Sequence, residues 1–223
     1  MKKFIHLKEN FDSKGYFIVK KFFDNKQIKK IIDEINNAKK IKKYYDRKNN
    51  LRRIEKIYNK GKNLRLANKK IEKYLSLVLK KRYIIFKDKF NSKPPNGEGY
   101  DAHFDGVFKF KSKSNLLKKG WYVYGKEFVN VLVALDNTEK NNGPLEISKA
   151  INKNFDDLFK LTKKDGSPNI KKSVEKSLNF KKILCKKGDI LIFKNNCPHR
   201  SKKNSSSKNR RILYYTYSLK SYG

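Results

Sequence analysis

At residue 83 the spacing of apolar side chains changes from helical to alternating, and this change constrains the 223-residue chain more than any other feature. Before it, Ile28, Ile31, Ile32 and Ile35 recur every three or four residues behind Asp24, and Gln27 lies three positions after Asp24. That spacing predicts an amphipathic helix over 25–38 opened by a capping box. A second helix is expected over 66–81, with Leu75, Leu77, Val78 and Leu79 as its apolar part. From Tyr83 the period is two, in runs near 83–90, 100–109, 120–124, 128–135, 143–147, 182–193 and 210–218. Pro94-Pro95-Asn96-Gly97 and Asn141-Asn142-Gly143-Pro144 punctuate these runs as turns. Many short strands behind a helical start predict a mainly β fold with flanking α-helices, a barrel or jelly roll. The expected organisation is one domain over 1–223, helical over about 1–82 and β over about 83–223. Residues 14–22 read as a short strand or turn, 39–65 carry no pattern, and 150–180 read as an irregular, partly helical insertion.

Charge suggests a different class. The chain holds 57 Lys and Arg against 21 Asp and Glu, a formal +36. Such an excess attracts polyanions. The cations are nearly all Lys, however, and run from Lys2 to Lys220 without gathering in one patch. Planar Arg forks, which grip phosphates and bases bidentately, are scarce. Asn and Ile are abundant beside Lys, the drift of an AT-rich coding sequence, so no specific nucleic-acid partner is expected. Cys185 and Cys197 form neither a disulfide framework nor a CxxC metal pair, which suits a reducing compartment. The opening MKKFIHLKENF has no apolar core of a leader, and no window approaches the ~20 apolar residues of a membrane span. A cytoplasmic protein without membrane contact is the expectation.

Of the three histidines, two sit where chemistry is expected. His103-Phe104-Asp105 spaces an imidazole and a carboxylate two apart, which on a strand turns both to one side. His199 follows the apolar run Ile190–Phe193 within Cys197-Pro198-His199-Arg200-Ser201. Two His and one carboxylate form a facial triad that leaves positions open on Fe(II), although zinc hydrolases use similar ligands. Arg210, eleven positions after His199, opens the apolar run Ile212–Tyr217. A 2-oxoglutarate that chelates iron through its keto-acid end leaves a far carboxylate, and an Arg fork satisfies it bidentately. Alternation allows only one of Arg210 and Arg211 to face inward.

Taken in order, these motifs resemble the phytanoyl-CoA dioxygenase family over most of the chain. The resemblance is carried by Gly15-Tyr16-Phe17-Ile18-Val19, His103-Phe104-Asp105, Asn142-Gly143-Pro144-Leu145, Gly188-Asp189-Ile190-Leu191, Pro198-His199-Arg200-Ser201, and Arg210-Arg211 with its closing strand. It implies a double-stranded β-helix, a cupin-like jelly roll, with N-terminal helices outside. It implies an Fe(II)- and 2-oxoglutarate-dependent hydroxylase that uses O2 and a small-molecule substrate, with His103, Asp105 and His199 on the metal. Arg210 then takes the cosubstrate, and Ser201 matches a family position that helps hold it. Thr216 stands where repair-type dioxygenases carry a second Arg, and Asp105 stands where halogenases carry a small residue. Ser148-Lys149-Ala150-Ile151 replaces the family's Pro-Gly-Ser-His near the substrate entrance, so the resemblance does not name the substrate.

Four further residues complete the expectations. Lys87, Lys89, Asn91 and Lys93 alternate along one strand, and Ile85 shares their parity, which turns this face inward. Lys87 is assigned to an anionic substrate and Lys89 to a second contact with 2-oxoglutarate. Asn130, polar within the strand 128–135, is assigned to the cosubstrate. Cys197 reads as structural and His6 as a surface residue. The rival reading is a basic jelly roll without catalysis that binds nucleic acid or another polyanion.

Overall fold

The computed structural model describes residues 2–46, 48–106, 109–111, 117–151, 159–161 and 168–220. In chain order the first elements are α1 (Lys2–Lys14), β1 (Tyr16–Val19), α2 (Asn25–Asn37), β2 (Lys42–Tyr45), β3 (Leu51–Glu55), α3 (Lys62–Leu79), β4 (Tyr83–Lys93) and β5 (Tyr100–His103). There follow β6 (Lys109–Lys111), β7 (Leu117–Lys119), a 3-10 turn (Gly120–Val123), β8 (Phe128–Ala134), β9 (Leu145–Ile147), β10 (Phe159–Leu161) and β11 (Pro168–Ile170). The chain closes with α4 (Lys172–Ser177), β12 (Lys181–Lys182), β13 (Ile190–Lys194), β14 (His199–Ser201) and β15 (Arg210–Leu219).

Two antiparallel sheets face each other as a jelly roll. One has seven strands in the order β1-β13-β8-β15-β4-β3-β2, the other six in the order β10-β11-β5-β14-β9-β12. Alternation sorts the long strands. Val129, Val131, Val133, Leu213 and Tyr215 point to the helices and join Ile28, Ile31, Leu64, Ile71 and Leu75 in one core. Leu132, Ala134, Leu191, Phe193 and Ile212 point between the sheets. A fully buried aliphatic side chain of this kind stabilises the fold by roughly 1.5–3 kcal/mol. Among the described residues no helix is long and apolar enough to cross a membrane.

The capping box forms as expected: Gln27 N–H donates to Asp24 Oδ1 (2.7 Å), and Asp24 N–H donates to Gln27 Oε1 (3.1 Å). α3 starts earlier than its apolar spacing suggested because Glu34 of α2 caps it. The Glu34 carboxylate accepts from the backbone N–H of Asn63 and of Leu64, both at 2.9 Å. Leu77, expected inside, is exposed, while Leu64 and Ala67 take the buried face.

The first 82 residues are not helical throughout. β1 pairs with β13, and the unpatterned stretch 39–65 holds the hairpin β2–β3, which extends the larger sheet past β4. The expected strand over 120–124 is the 3-10 turn, and the run 182–193 is broken between β12 and β13 around Gly188 and Asp189. Asp189 holds that break, accepting from the N–H of Lys21 (2.8 Å) and of Lys186 (2.9 Å). Within 150–180, β10, β11 and α4 are present, and 152–158 and 162–167 lie outside the described residues.

Candidate metal and cosubstrate site

β5 and β14 are neighbours in the smaller sheet, and His199 lies directly opposite His103. Opposite residues of an antiparallel pair project to one side, and the two rings stand 4.2 Å apart. Asp105 is not on the strand with His103, as i, i+2 alternation required. β5 ends at His103, and the chain turns through Asp105 and Gly106. Gly106 has φ +80°, and a Cβ there would lie 2.5 Å from the Trp121 ring, so the turn needs both the conformation and the space of glycine. Asp105 N–H donates to Asn195 O (3.2 Å), which fixes the carboxylate over the histidines.

The result is one cluster. Asp105 Oδ2 is 3.5 Å from His199 Nε2, and one donor atom from each residue lies within 4.8 Å of the others. Ligands about 2.0–2.2 Å from one metal sit roughly 3 Å from each other, so small side-chain shifts close this set on an ion. Each imidazole is also pre-set. His103 Nδ1 donates to Asp101 O (2.7 Å) and His199 Nδ1 to Cys197 O (3.0 Å), since a carbonyl can only accept. Both Nε2 lone pairs are therefore free for a metal. Burial and the neighbouring His103 push His199 down to about 4, against the pull of Asp105. Burial would raise the Asp105 carboxyl, but Lys89, His199, His103 and Lys87 outweigh it and hold the group below the usual carboxylate range. The His199 imidazole is thus held neutral and the Asp105 carboxyl ionised, the forms in which each binds a divalent ion.

Asn130 touches this cluster. Its amide nitrogen donates to Asp105 Oδ2 (2.9 Å) and its carbonyl accepts from Thr216 Oγ1 (2.7 Å). Thr216 lies opposite Asn130 in the β8–β15 ladder. The amide nitrogen and oxygen each hold a partner, and in this structure they aim the Asp105 carboxylate.

Arg210 and Arg211 separate as alternation demands. Arg211 turns outward and grips Asp136 through Nε (2.9 Å) and NH2 (2.8 Å). Arg210 turns inward and is 3% exposed. Its side chain hydrogen-bonds to Tyr214, its buried Nε has no partner, and among the described residues no carboxylate pairs with it. A buried guanidinium without a counter-ion calls for an anion. Lys93 lies opposite Arg210 and is fully buried; its ammonium donates to Ser201 Oγ (2.8 Å) and to Lys202 O (2.6 Å). Burial, then the charges of Arg210 and Arg52, push Lys93 down to about 6. Ser201 accepts from Lys93, so its own hydrogen remains for an acceptor in the cavity. Gly143 makes this corner possible: its φ is +68°, and a Cβ would meet Lys202 O at 2.4 Å and Lys93 Nζ at 3.0 Å.

One cavity joins these groups, with His103, His199, Ser201, Arg210, Tyr214 and Lys89 in its wall. Lys89 Nζ sits 5.1 Å above the Tyr214 ring, and its charge is the strongest of those lowering Asp105. Lys87 also acts on Asp105, and its ammonium lies 3.9 Å from Glu55. Ile85 does not share their face. A bulge shifts the register between Thr216 and Tyr217, so Ile85 packs with the helix-side core. Phe86 instead packs on Trp121 and Phe128. Cys197 donates its thiol to Gly15 O (3.4 Å), burial pushes it up to about 12, and it carries no thiolate toward the histidines. His6 is exposed on α1.

Arg53 and Tyr100 line this cavity and went unread in the sequence, whereas Asn91 lies on the face expected to turn inward. Arg53 comes from β3. The available signal was Tyr44-Tyr45 and Leu51–Glu55 around the turn-forming Asp46 to Asn50, a hairpin pattern hidden in a Lys-rich stretch.

A 2-aminoethylphosphonate dioxygenase from an uncultured bacterium, HF130_AEPn_1, is 24% identical over 150 residues, 67% of this chain and 51% of that protein. A methylphosphonate hydroxylase from Gimesia maris is 27% identical over 134 residues, 60% of this chain and 45% of that protein. The matched part thus spans about half the length of these curated relatives. Among solved structures, the non-haem α-ketoglutarate-dependent epimerase SnoN superposes with TM-score 0.73 at 11% identity, over 98% of this chain and 84% of that one. EctD from S. alaskensis with 2-oxoglutarate and 5-hydroxyectoine gives 0.70 at 17%, over 96% and 75%. These likenesses show the shared fold. The phytanoyl-CoA dioxygenase (PhyH) model matches residues 11–212, and the chain belongs to that family.

Proposed function

We propose that the chain is a single-domain Fe(II)- and 2-oxoglutarate-dependent dioxygenase that hydroxylates a small anionic organic substrate. The observation that carries this reading is one cavity lined by both histidines of a two-histidine, one-carboxylate cluster and by a buried guanidinium without a counter-ion, Arg210. The donor set suits Fe(II), and the orphaned cation suits the far carboxylate of 2-oxoglutarate. Bound iron supplies oxygen activation coupled to conversion of 2-oxoglutarate into succinate and carbon dioxide.

The protein's part is positioning. His103 and His199 present Nε2, and Asp105 presents a carboxylate aimed by Asn130 and Thr216. Arg210 and the Ser201 hydroxyl take the far carboxylate, and Lys93 holds Ser201 from behind. Lys89 stands between cosubstrate and substrate, and Lys87 meets the substrate. Phe86, Trp121 and Phe128 form an apolar wall beside the metal turn that keeps water out. Relatives named for phosphonates support an anionic substrate. A module that only binds polyanions has no use for a buried, pre-oriented ligand set, so the rival reading is not favoured. Two buried free thiols suit a reducing, cytoplasmic setting.

The test is oxygen-dependent formation of succinate from 2-oxoglutarate, with and without candidate anions, followed by mass spectrometry. The reading requires turnover that depends on added Fe(II) and is lost in His199→Ala. Absence of Fe(II)-dependent succinate under every condition contradicts it.

A further inference from the structure

We propose that the β2–β3 hairpin, through Arg53, builds a substrate subsite for a doubly charged tetrahedral oxoanion of the phosphonate or phosphate-monoester class. This rests on the oxygenase reading above and adds to it the group the substrate must carry.

Arg53 lies opposite Asn91 in the β3–β4 ladder and lines the same cavity as His103 and His199. Its Nε is buried and donates no hydrogen bond, although Glu55 Oε1 stands 3.3 Å away as an ion pair. The neighbouring Asn91 Oδ1 is likewise buried without a partner. The guanidinium is held in place: it stacks on Tyr44, 4.5 Å from the ring, and the Tyr44 hydroxyl donates to Glu55 (3.2 Å). The base of the hairpin is clamped as well, since Asp88 accepts from the N–H of Ile57 (2.6 Å) and of Tyr58 (3.0 Å). An Arg so fixed, with its fork unengaged, is a ready oxoanion ligand. Arg52 next to it shows the contrast, because its fork is fully used on the carbonyls of Glu98 (2.8 Å) and Gly99 (3.0 Å).

Charge sets the class. Fe(II), Asp105, a doubly charged 2-oxoglutarate and Arg210 sum to zero. Arg200, also in the wall, holds two carboxylates, Glu146 (2.8 Å) and Glu175 (2.6 Å), a net charge of −1 that offsets the Lys93 ammonium of the 2-oxoglutarate-bound state. What remains is Arg53, Lys87 and Lys89 against the one carboxylate of Glu55, which touches both Arg53 and Lys87. The excess is two positive charges on neighbouring side chains, a local field that draws anions. A carboxylate or sulfonate neutralises half of it, and a fully ionised phosphorus oxoanion neutralises all of it. Three tetrahedral oxygens also offer acceptors to an Arg fork and two ammonium groups at once.

The experiment is calorimetric titration of the Fe(II)- and 2-oxoglutarate-loaded protein without oxygen, at a pH above the second ionisation of the phosphonate. The probes are methylphosphonate, methyl phosphate and methanesulfonate. Methylphosphonate is expected to bind at least roughly ten-fold more tightly than methanesulfonate, and methyl phosphate tells whether the bridging oxygen is accepted. Arg53→Gln should weaken methylphosphonate roughly 10- to 100-fold, the scale of a charge-assisted bond, while 2-oxoglutarate affinity changes by less than about two-fold. Arg53→Lys should restore part of the loss. Equal binding of phosphonate and sulfonate, or unchanged methylphosphonate affinity in Arg53→Gln, overturns the proposal. Should Arg53→Gln fail to melt as a folded protein, Lys87→Met replaces it, and a loss below about three-fold there overturns the proposal equally. Wild-type protein that binds 2-oxoglutarate but no probe sinks this subsite alone. Protein that binds no 2-oxoglutarate sinks the oxygenase reading beneath it.

Discussion

Arg211 has a carboxylate, Asp136, in its fork, and Arg210 has none among the described residues. Arg210→Ala should therefore weaken 2-oxoglutarate by roughly a hundred-fold, the loss of a buried bidentate pair, with metal binding nearly intact. Arg211→Ala should leave 2-oxoglutarate affinity within about three-fold. Equilibrium titration of both variants decides the matter, and the reverse result would mean that β15 presents the other neighbour. Lys93 adds a proton to the same event. Sitting at about 6, it is mostly neutral at pH 7. An anion on Arg210 places negative charge beside it and raises it, so 2-oxoglutarate binding at pH 7 should take up protons. Calorimetry in two buffers of different ionisation enthalpy reads that uptake, which Lys93→Met should abolish. One layer out, Asn130→Leu should cost roughly 10- to 100-fold in metal affinity, because Asp105 loses the donor that aims it. Metal titration in the absence of 2-oxoglutarate isolates that effect.

At the scale of elements, the structure follows the sequence wherever one periodicity acts alone. α2 has its apolar stripe and its cap, and Asp24→Ala should cost about 0.5–2 kcal/mol in chemical denaturation. β8 and β15 alternate cleanly, and one face of each supplies the site: Asn130 from β8, Arg210, Tyr214 and Thr216 from β15. The metal strand was legible only in part. His103 and Asp105 were identifiable from their types and spacing, but a glycine turn rather than strand alternation brings them together, and nothing local shows that Trp121 packs on Gly106. The bulge in β4 is equally silent in sequence, and it reversed the parity of Ile85. The β2–β3 hairpin was lost because Lys and Asn dilute its short apolar runs, and with it went Arg53. α3 owes its first turn to Glu34, a residue some thirty positions away, a distance that window-based reading does not span.

For the whole molecule, the +36 charge and the buried site are separate matters. Lys spread along the entire sequence attracts any polyanion, so DNA should bind without sequence preference and release steeply with salt, as counterion displacement requires. Selective binding that survives physiological salt would revive the rival reading. The two-sheet frame, in contrast, serves the cavity. One sheet brings His103 to His199, the other sets Arg210 behind them, and Asn130 ties the second sheet to the Asp105 carboxylate. The central claim is that these groups form one metal and keto-acid site. A crystal structure of the protein with Mn(II), as an oxygen-stable substitute for Fe(II), and 2-oxoglutarate tests it most directly. One ion should lie about 2.0–2.2 Å from His103 Nε2, His199 Nε2 and an Asp105 oxygen. The far carboxylate of 2-oxoglutarate should lie on the Arg210 fork, with the Ser201 hydroxyl donating to it. An ion held elsewhere, or a carboxylate seated away from Arg210, would contradict the account.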